Sequence, residues 1–518
     1  MVKYLDNNSG FAEWNTMKMA DKKRSKFSGL FWWVILFLFA WWIMGAWFKP
    51  QNVNIENTQP ISVEQSTVSK HNVSSSDIAF DVQGLRISNI SLNNHKKDSK
   101  SSENVSLLNA ENNFIEAGYV SSDIKTPNIN TAWEAKADAL YYNAGNGIQF
   151  VRKISVDGYV ITISDTIKNN SNREVGLSPY VQIVSSNQDA TSSVVETGGV
   201  VYANSKLDYT NWGKLNKKSV AYSTVRGSFG FADQYWETIA AMDANDQTIS
   251  LKKSGDLYFA QSNVAPVKIA AKSEAEVNTY VFSGPRMSSL LNAAAHKIPG
   301  IDKTMDYGWF WFFAQPMLWM INWLFALVGN YGVAIILMTL ILRILIWPLT
   351  RKSYVSTMKM QKMQPELQRV QKLYANDKAR LQIEMMKVYQ THKTSPMSGC
   401  LPMLIQIPIF FALYKALLIS VPMRSAHFLW ISDLSVMDPY FILPILMGAT
   451  MWLQQYLQTP HIQNNANDPM ASTQRVMKWM SVLFTVMFAW MPAGLVLYWT
   501  VSNLFGIFQM YVIKKSVK

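Results

Sequence analysis

Arg343 lies in a run that is otherwise uncharged and apolar, 331–349 (YGVAIILMTLILRILIWPL). An arginine near the middle of a membrane helix costs roughly 2.5–3.5 kcal/mol on insertion scales, so it normally has a partner or water. The six acids after residue 310 are Glu366, Asp377, Glu384, Asp433, Asp438 and Asp468, and all are expected in loops, none in a candidate span. A membrane cation without a counter-charge implies a wet cavity open to something negatively charged that comes and goes. The alternative is snorkelling, because Arg343 is about 12 Å from Arg351 along a helix. Thr339 lies one turn away on the same face, which favours the cavity. Other polar residues sit at selected depths of apolar segments: Gln406, Thr485, Tyr498, Trp499, Ser502 and Asn503. Each alone is commonly interhelical glue. Together they could line a shallow wet groove around Arg343. Lys415 lies within snorkelling reach of an interface and reads as an anchor.

Signatures of enzymatic chemistry are missing. There is no phosphate-cradling G-x-x-x-x-G-K-[ST] loop and no H-E-x-x-H or paired cysteines for zinc. The six histidines (71, 95, 296, 392, 427, 461) lack metal-ligand spacing, and Cys400 is the only cysteine. Neither enzyme, metal nor cofactor is expected.

The elements that must position these residues follow from hydropathy and charge. The chain has 49% hydrophobic residues and 19 Trp, as membrane proteins do. Residues 1–48 carry six Lys/Arg against three acids, 49–310 carry 24 against 26, and 311–518 carry 18 against six. The middle therefore reads as a near-neutral soluble domain. The excess cation belongs to membrane flanks and points to anionic lipids rather than nucleic acid. After a cytoplasmic segment, 1–27, the stretch 28–48 follows four basic residues and has no small-residue cleavage site, so it reads as an uncleaved anchor. A polar linker, 49–77, leads into 78–300. There Tyr159, Ile161, Ile163 and Ile167 alternate with Thr162, Ser164 and Thr166, which predicts a large antiparallel β-sandwich.

The segment 305–330 is uncharged from 307 onward but studded with Trp, and reads as an interfacial amphipathic helix. Were it to cross, the stretch 351–399, with ten Lys/Arg and three acids, would fall outside and violate the positive-inside rule. Further spans are expected at 331–350, 401–423, 439–457, 475–491 and 495–513, with a break at Met491-Pro492-Ala493-Gly494 and a short basic tail, 514–518. The fold class expected is thus a multi-pass α-helical membrane protein with six spans, both termini cytoplasmic and a large exported β domain. Between the second and third spans, 351–399 reads as a cytoplasmic helical hairpin broken near Asn376-Asp377. It carries Met358, Met360, Met363, Met385 and Met386. Flexible thioethers suit surfaces that accept varied apolar partners. Equally, they could pack the hairpin on itself.

The runs LILRILIWPLTRKSYVSTMKMQKMQPELQ, GCLPMLIQIPIFFALY, DPYFILPILMGATM and MPAGLVLYWTVSN, with DYGWFWFFAQP before the second span, closely resemble the bacterial YidC-type membrane protein insertases over roughly 305–513. The β domain is similar to that family's periplasmic β-supersandwich by position and by TYVFSGPR. The resemblance implies an inner-membrane insertase and chaperone for nascent membrane proteins, working alone or alongside Sec translocon components, and monomeric. It implies a groove open to cytoplasm and lipid and closed on the periplasmic side. The family's groove arginine, threonine and glutamine match Arg343, Thr339 and Gln406, and its sixth-span tyrosine matches Tyr498 or the adjacent Trp499. Ribosome or signal-recognition contact, associated in some members with a long basic tail, stays open because this chain ends Lys514-Lys515-Ser516-Val517-Lys518. A competing class is an anion transporter using Arg343, but the inverted repeats with broken midplane helices that it would favour are not seen. A carbohydrate-binding role for the β domain would rest on fold analogy alone.

Overall fold

The computed structural model describes residues 68–98, 101–109, 112–136, 138–186, 195–392, 401–458 and 469–516. The expected anchor 28–48 and most of the linker lie outside the described residues.

Alternation of apolar and polar side chains builds the β domain. In the strand Val160–Asn169, Ile161, Ile163, Asp165 and Ile167 are buried while Thr162, Ser164 and Thr166 are half-exposed. Its hairpin partner Ile148–Asp157 pairs antiparallel with it, Asp157 opposite Val160, across a turn in which Gly158 takes φ 58°. That left-handed position is where glycine is favoured. Two sheets result, antiparallel throughout. The ten-stranded sheet runs in the order His71–Ser74, Ile78–Gln83, Arg86–Lys96, Phe114–Val120, Val175–Ser185, Leu257–Val264, Gln247–Ser254, Val220–Thr224, with Asn104–Leu107 and Val267–Ile269 paired at its side. The nine-stranded sheet runs Lys206–Asn211, Gly198–Ala203, Ser228–Ala232, Trp236–Met242, Ser273–Pro285, Val160–Asn169, Ile148–Asp157, Ala139–Gly145, Glu134–Lys136. Ile115, Val181 and Ile249 of one sheet and Phe229, Ile239 and Val281 of the other share one buried apolar core. The domain starts earlier than expected, since the strand His71–Ser74 falls within the stretch read as linker.

Ten α-helices are described. Helix α1 (Trp212–Leu215) sits within the β domain, and α2 (Ser288–Ala294) closes it. The apolar part comprises α3 (Trp311–Val328), α4 (Tyr331–Leu345), α5 (Trp347–Leu373), α6 (Lys378–Thr391), α7 (Leu401–Ile419), α8 (Ile442–Gln458), α9 (Pro469–Phe488) and α10 (Ala493–Ser516). Gly329, at φ 68°, ends α3, and the Asn330 side chain accepts from the Val333 N–H to start α4. An αL residue followed at once by an N-cap makes the tightest kind of helix–helix turn.

Among the described residues, α3 and α10 are each long and apolar enough to cross a membrane, and the α4–α5 pair, bent by 65°, counts as a third. One face of α3 buries Ala314, Met317, Ile321 and Leu324 against its neighbours. The other exposes Trp311, Phe312, Trp319 and Trp323. One boundary is corrected: the second apolar run does not continue as one helix to residue 349. It breaks at Ile346, because Pro348 has no N–H to continue the ladder and suits the first turn of a new helix instead.

The β domain is bonded to the helical part. Leu418 and Ile419, at the end of α7, join the sandwich core, and Gln234 Nε2 donates to the Leu418 carbonyl at 2.9 Å. Arg424 donates to the Lys96 carbonyl at 2.8 Å and to that of Lys97, with its guanidinium 5.6 Å from the Trp236 ring centre. A buried latch holds the segment entering α3. Arg286 donates to the Thr304 carbonyl, the Asp233 carbonyl (2.8 Å) and the Tyr209 hydroxyl (2.9 Å), while the Thr304 hydroxyl donates to Glu237 Oε1 (2.9 Å). Arg286 Nε lies 3.4 Å from Glu237 Oε2, near enough to attract but without a hydrogen bond to that oxygen. Burial outweighs this attraction and pushes the Glu237 carboxyl up to about 7.

Candidate functional site

Helices α4, α7 and α10 bring the central polar residues together. Arg343, half-buried in the last turn of α4, donates from Nε to Ser502 Oγ on α10 at 2.8 Å, and from Nη2 to the same hydroxyl oxygen. It makes no ion pair among the described residues. A hydroxyl orients a guanidinium without neutralising it, so the net charge stays uncompensated.

One turn before Ser502 on the same helix, Tyr498 is buried and accepts from Gln406 Nε2 of α7 at 2.6 Å. Residues four apart share a helix face. Arg343, Ser502, Tyr498 and Gln406 thus form one polar strip across three apolar helices. Trp499 points elsewhere. Its ring packs 5.1 Å from Phe488 and 5.3 Å from Phe410, in an edge-on aromatic cluster. Of the two adjacent candidates, Tyr498 belongs to the strip.

Three other expected residues sit differently. Thr339 is fully buried, and its hydroxyl donates to the Ile335 carbonyl of its own helix at 2.6 Å. Asn503 turns toward α8, with Nδ2 at 3.3 Å from Thr450 Oγ1. Thr485 donates to the Ser481 carbonyl at 2.8 Å and packs on Gly448, where a larger residue would collide with it. Small residues allow this close approach between membrane helices. Asn503 and Thr485 therefore bond away from Arg343.

The hairpin methionines divide. Met363 is buried with Leu367 and Val388, and Met385 packs against that cluster. Met386 is exposed, next to an equally exposed Ile383, while Met358 and Met360 are half-exposed. Met363 and Met385 thus pack the hairpin on itself, and Met358, Met360 and Met386 are left at its surface.

Sequence reasoning missed two partners. Lys415 of α7 is nearly buried and pairs with Asp306, which also accepts from the Gly308 N–H at 2.8 Å. Gln509 of α10 is fully buried and donates from Nε2 to the Arg343 carbonyl at 3.2 Å. Its spacing, seven residues beyond Ser502, was a usable signal. The pairing of Lys415 with a residue 109 positions away was not. Among the described residues, no group of three His, Cys, Asp or Glu is placed to hold a metal ion.

Two family models match end to end: "YidC periplasmic domain" over residues 72–320 and "60Kd inner membrane protein" over 323–518. A "Membrane protein insertase YidC" of Magnetococcus marinus is 36% identical over 435 residues, covering 79% of this chain and 76% of the relative. One from Rickettsia bellii is 32% identical, covering 91% and 92%. A solved active YidC insertase with its first transmembrane domain resolved matches 85% of this chain and 93% of its own, at 19% identity and a TM-score of 0.38. With both halves matched in order and relatives above 30% identity across most of their length, this chain belongs to the YidC family of bacterial inner-membrane protein insertases.

Proposed function

We propose that the polar strip around Arg343 is where this insertase meets its client. A hydrophobic segment of a nascent membrane protein would enter from the cytoplasm, and its polar tail would pass along Arg343, Ser502, Tyr498 and Gln406 toward the other side. The observation that carries this reading is Arg343 itself: a half-buried cation held by one neutral hydroxyl, with no ion pair among the described residues. A purely structural arginine in an apolar helix bundle would be expected to have a fixed counter-charge. Thr339 supports the strip by packing, and Thr485, Asn503 and Trp499 by holding α8, α9 and α10 around it. No bond in a client is made or broken, so the work is transfer rather than catalysis.

The topology that suits this reading has six spans, with both termini and the α5–α6 hairpin in the cytoplasm and the β domain in the periplasm. The charge distribution supports it, since the hairpin is strongly basic and the loop 424–438 is not. The exposed aromatic face of α3 fits a helix lying in the periplasmic interface. Met358, Met360 and Met386 are the hairpin methionines accessible to a client, and Met363 and Met385 hold the hairpin together. Sec translocon components are the further partner expected on larger clients.

The test is crosslinking from photoreactive residues at Gln406 and Tyr498 to a stalled nascent client. Adducts at both positions, lost when the client segment is made polar, are the expected result. Adducts only at lipid-exposed positions such as Leu483 and Leu504 would place the client outside the strip and overturn the reading.

A further inference from the structure

The elbow between α4 and α5 is braced by a residue with no other evident purpose. Helix α4 runs out at Leu345, and α5 leaves it at 65°. Pro348 has no N–H, so the Ile344 carbonyl has no donor four residues on. The Ile346 N–H closes the break by reaching the carbonyls of Leu342 and Ile344. The Arg343 carbonyl receives Gln509 Nε2, from a different helix.

Gln509 is 0% exposed, and its Oε1 is buried without a hydrogen-bond partner among the described residues. An unsatisfied buried amide oxygen is destabilising, so an apolar side chain of equal length would serve packing better. What the amide supplies is its N–H. The same face of α10 carries Ser502, Gly506 and Gln509, at i, i+4 and i+7. Ser502 holds the Arg343 guanidinium, and the Gly506 carbonyl accepts from the Tyr354 hydroxyl of α5 at 3.4 Å. Helix α10 thus grips the elbow on both sides of the bend.

We propose that Gln509 is a positioning residue for insertion: by holding the Arg343 carbonyl it fixes the α4–α5 elbow, which aims the Arg343 side chain and sets the angle at which the hairpin departs. The inference rests on the reading of Arg343 as the group that meets the client. Motion of the hairpin then pivots beyond Tyr354, and the arginine stays aimed while the hairpin moves.

The test uses the full chain in phospholipid vesicles, with Cys400→Ser and spin labels at the exposed positions Leu373 and Leu504. Gln509→Met keeps the side-chain length and removes the donor. Expected results are an unchanged thermal unfolding midpoint, a broadened label-to-label distance distribution, and a loss of about fivefold in insertion of an acidic-tailed client, the size of one buried hydrogen bond. A neutral-tailed client should be little affected. An unchanged distance distribution in the folded variant overturns the bracing, and equal loss for both clients overturns the link to Arg343. Should Gln509→Met fail to fold, Gln509→Leu, which also lacks the donor and adds no charge, is read in the same way. Arg343→Ala is run alongside. If it treats the two clients alike, the reading of Arg343 fails, and the distance distribution alone decides the bracing.

Discussion

Arg343 and Ser502 are joined by two hydrogen bonds that end on one oxygen: Nε and Nη2 of the guanidinium both donate to the Ser502 hydroxyl. The arrangement fixes direction and leaves charge. Ser502→Asp should therefore be more damaging than Ser502→Ala. The aspartate would supply a permanent counter-charge that competes with a client, whereas the alanine removes charge-assisted hydrogen bonds to an uncharged partner and leaves the charge in place, a loss on the order of tenfold. Protease protection of an acidic-tailed client in reconstituted vesicles reads the difference. Wild-type insertion by Ser502→Asp would show that the net charge at residue 343 goes unused.

Glu237 should make the fold sensitive to pH. Its carboxyl is pushed up to about 7 in the folded chain from an ordinary 4.5. The folded state therefore holds this proton more tightly than the unfolded state. The stabilisation is fully present below about pH 4.5 and is lost as pH rises to about 7, amounting to about 3 kcal/mol at most. The midpoint of thermal unfolding should fall between pH 5 and pH 8, by about 2–4 °C for each kcal/mol. Glu237→Gln, which keeps an acceptor for the Thr304 hydroxyl, should flatten this dependence. An unchanged slope in that variant would remove Glu237 as its source.

Two methionines of the hairpin should behave differently. Met363 is 3% exposed within the small cluster with Leu367 and Val388, so Met363→Ala should cost about 2 kcal/mol or more and loosen the α5–α6 pairing. Hydrogen exchange across 347–391 would report it as lost protection. Met386 is 52% exposed, so Met386→Ser should stay within about 0.5 kcal/mol of wild type. It should instead lower crosslinking of a captured client to the hairpin. Equal protection in both variants would refute the division of roles.

What could be read from sequence was whatever a local pattern carries. Alternation at Ile161, Ile163 and Ile167 marked the sheet, and Asn376-Asp377 marked the hairpin turn, where Asp377 caps α6 by accepting from the Arg380 N–H at 3.0 Å. Pro492 and Gly494 marked the start of α10. The bend at Ile346 does not show in the sequence although Pro348 announces it, because apolarity that resumes after Arg343 and runs through residue 349 outweighs one proline. Pairings between distant residues left no such trace. Asp306 reads as an ordinary loop acid until α7 places Lys415 beside it. Polarity and depth identified Tyr498 and Trp499 equally, and only the rotation of α10 separates the polar strip from the aromatic cluster.

The charge at residue 343 is the most direct test of insertion. A carboxylate in a client's tail that comes within 4 Å of Arg343 gains about 4 kcal/mol at an effective dielectric of 20, against about 1 kcal/mol in bulk water. The difference of about 3 kcal/mol corresponds to roughly two orders of magnitude in entry of an acidic tail. A neutral tail gains nothing from it. Arg343→Lys keeps a point charge but loses the planar fork that meets Ser502, so most activity toward acidic-tailed clients should survive. Arg343→Ala should fail with acidic tails and pass neutral ones, whose entry depends on the polar strip and on apolar sliding. Arg343→Glu should be worst of all with acidic tails, since it adds repulsion where attraction was needed. Paired clients differing only in tail charge, scored by protease protection in the same vesicles, separate these outcomes. If the alanine variant inserts both clients as well as wild type does, Arg343 is a snorkelling residue held by Ser502, and its charge takes no part in transfer.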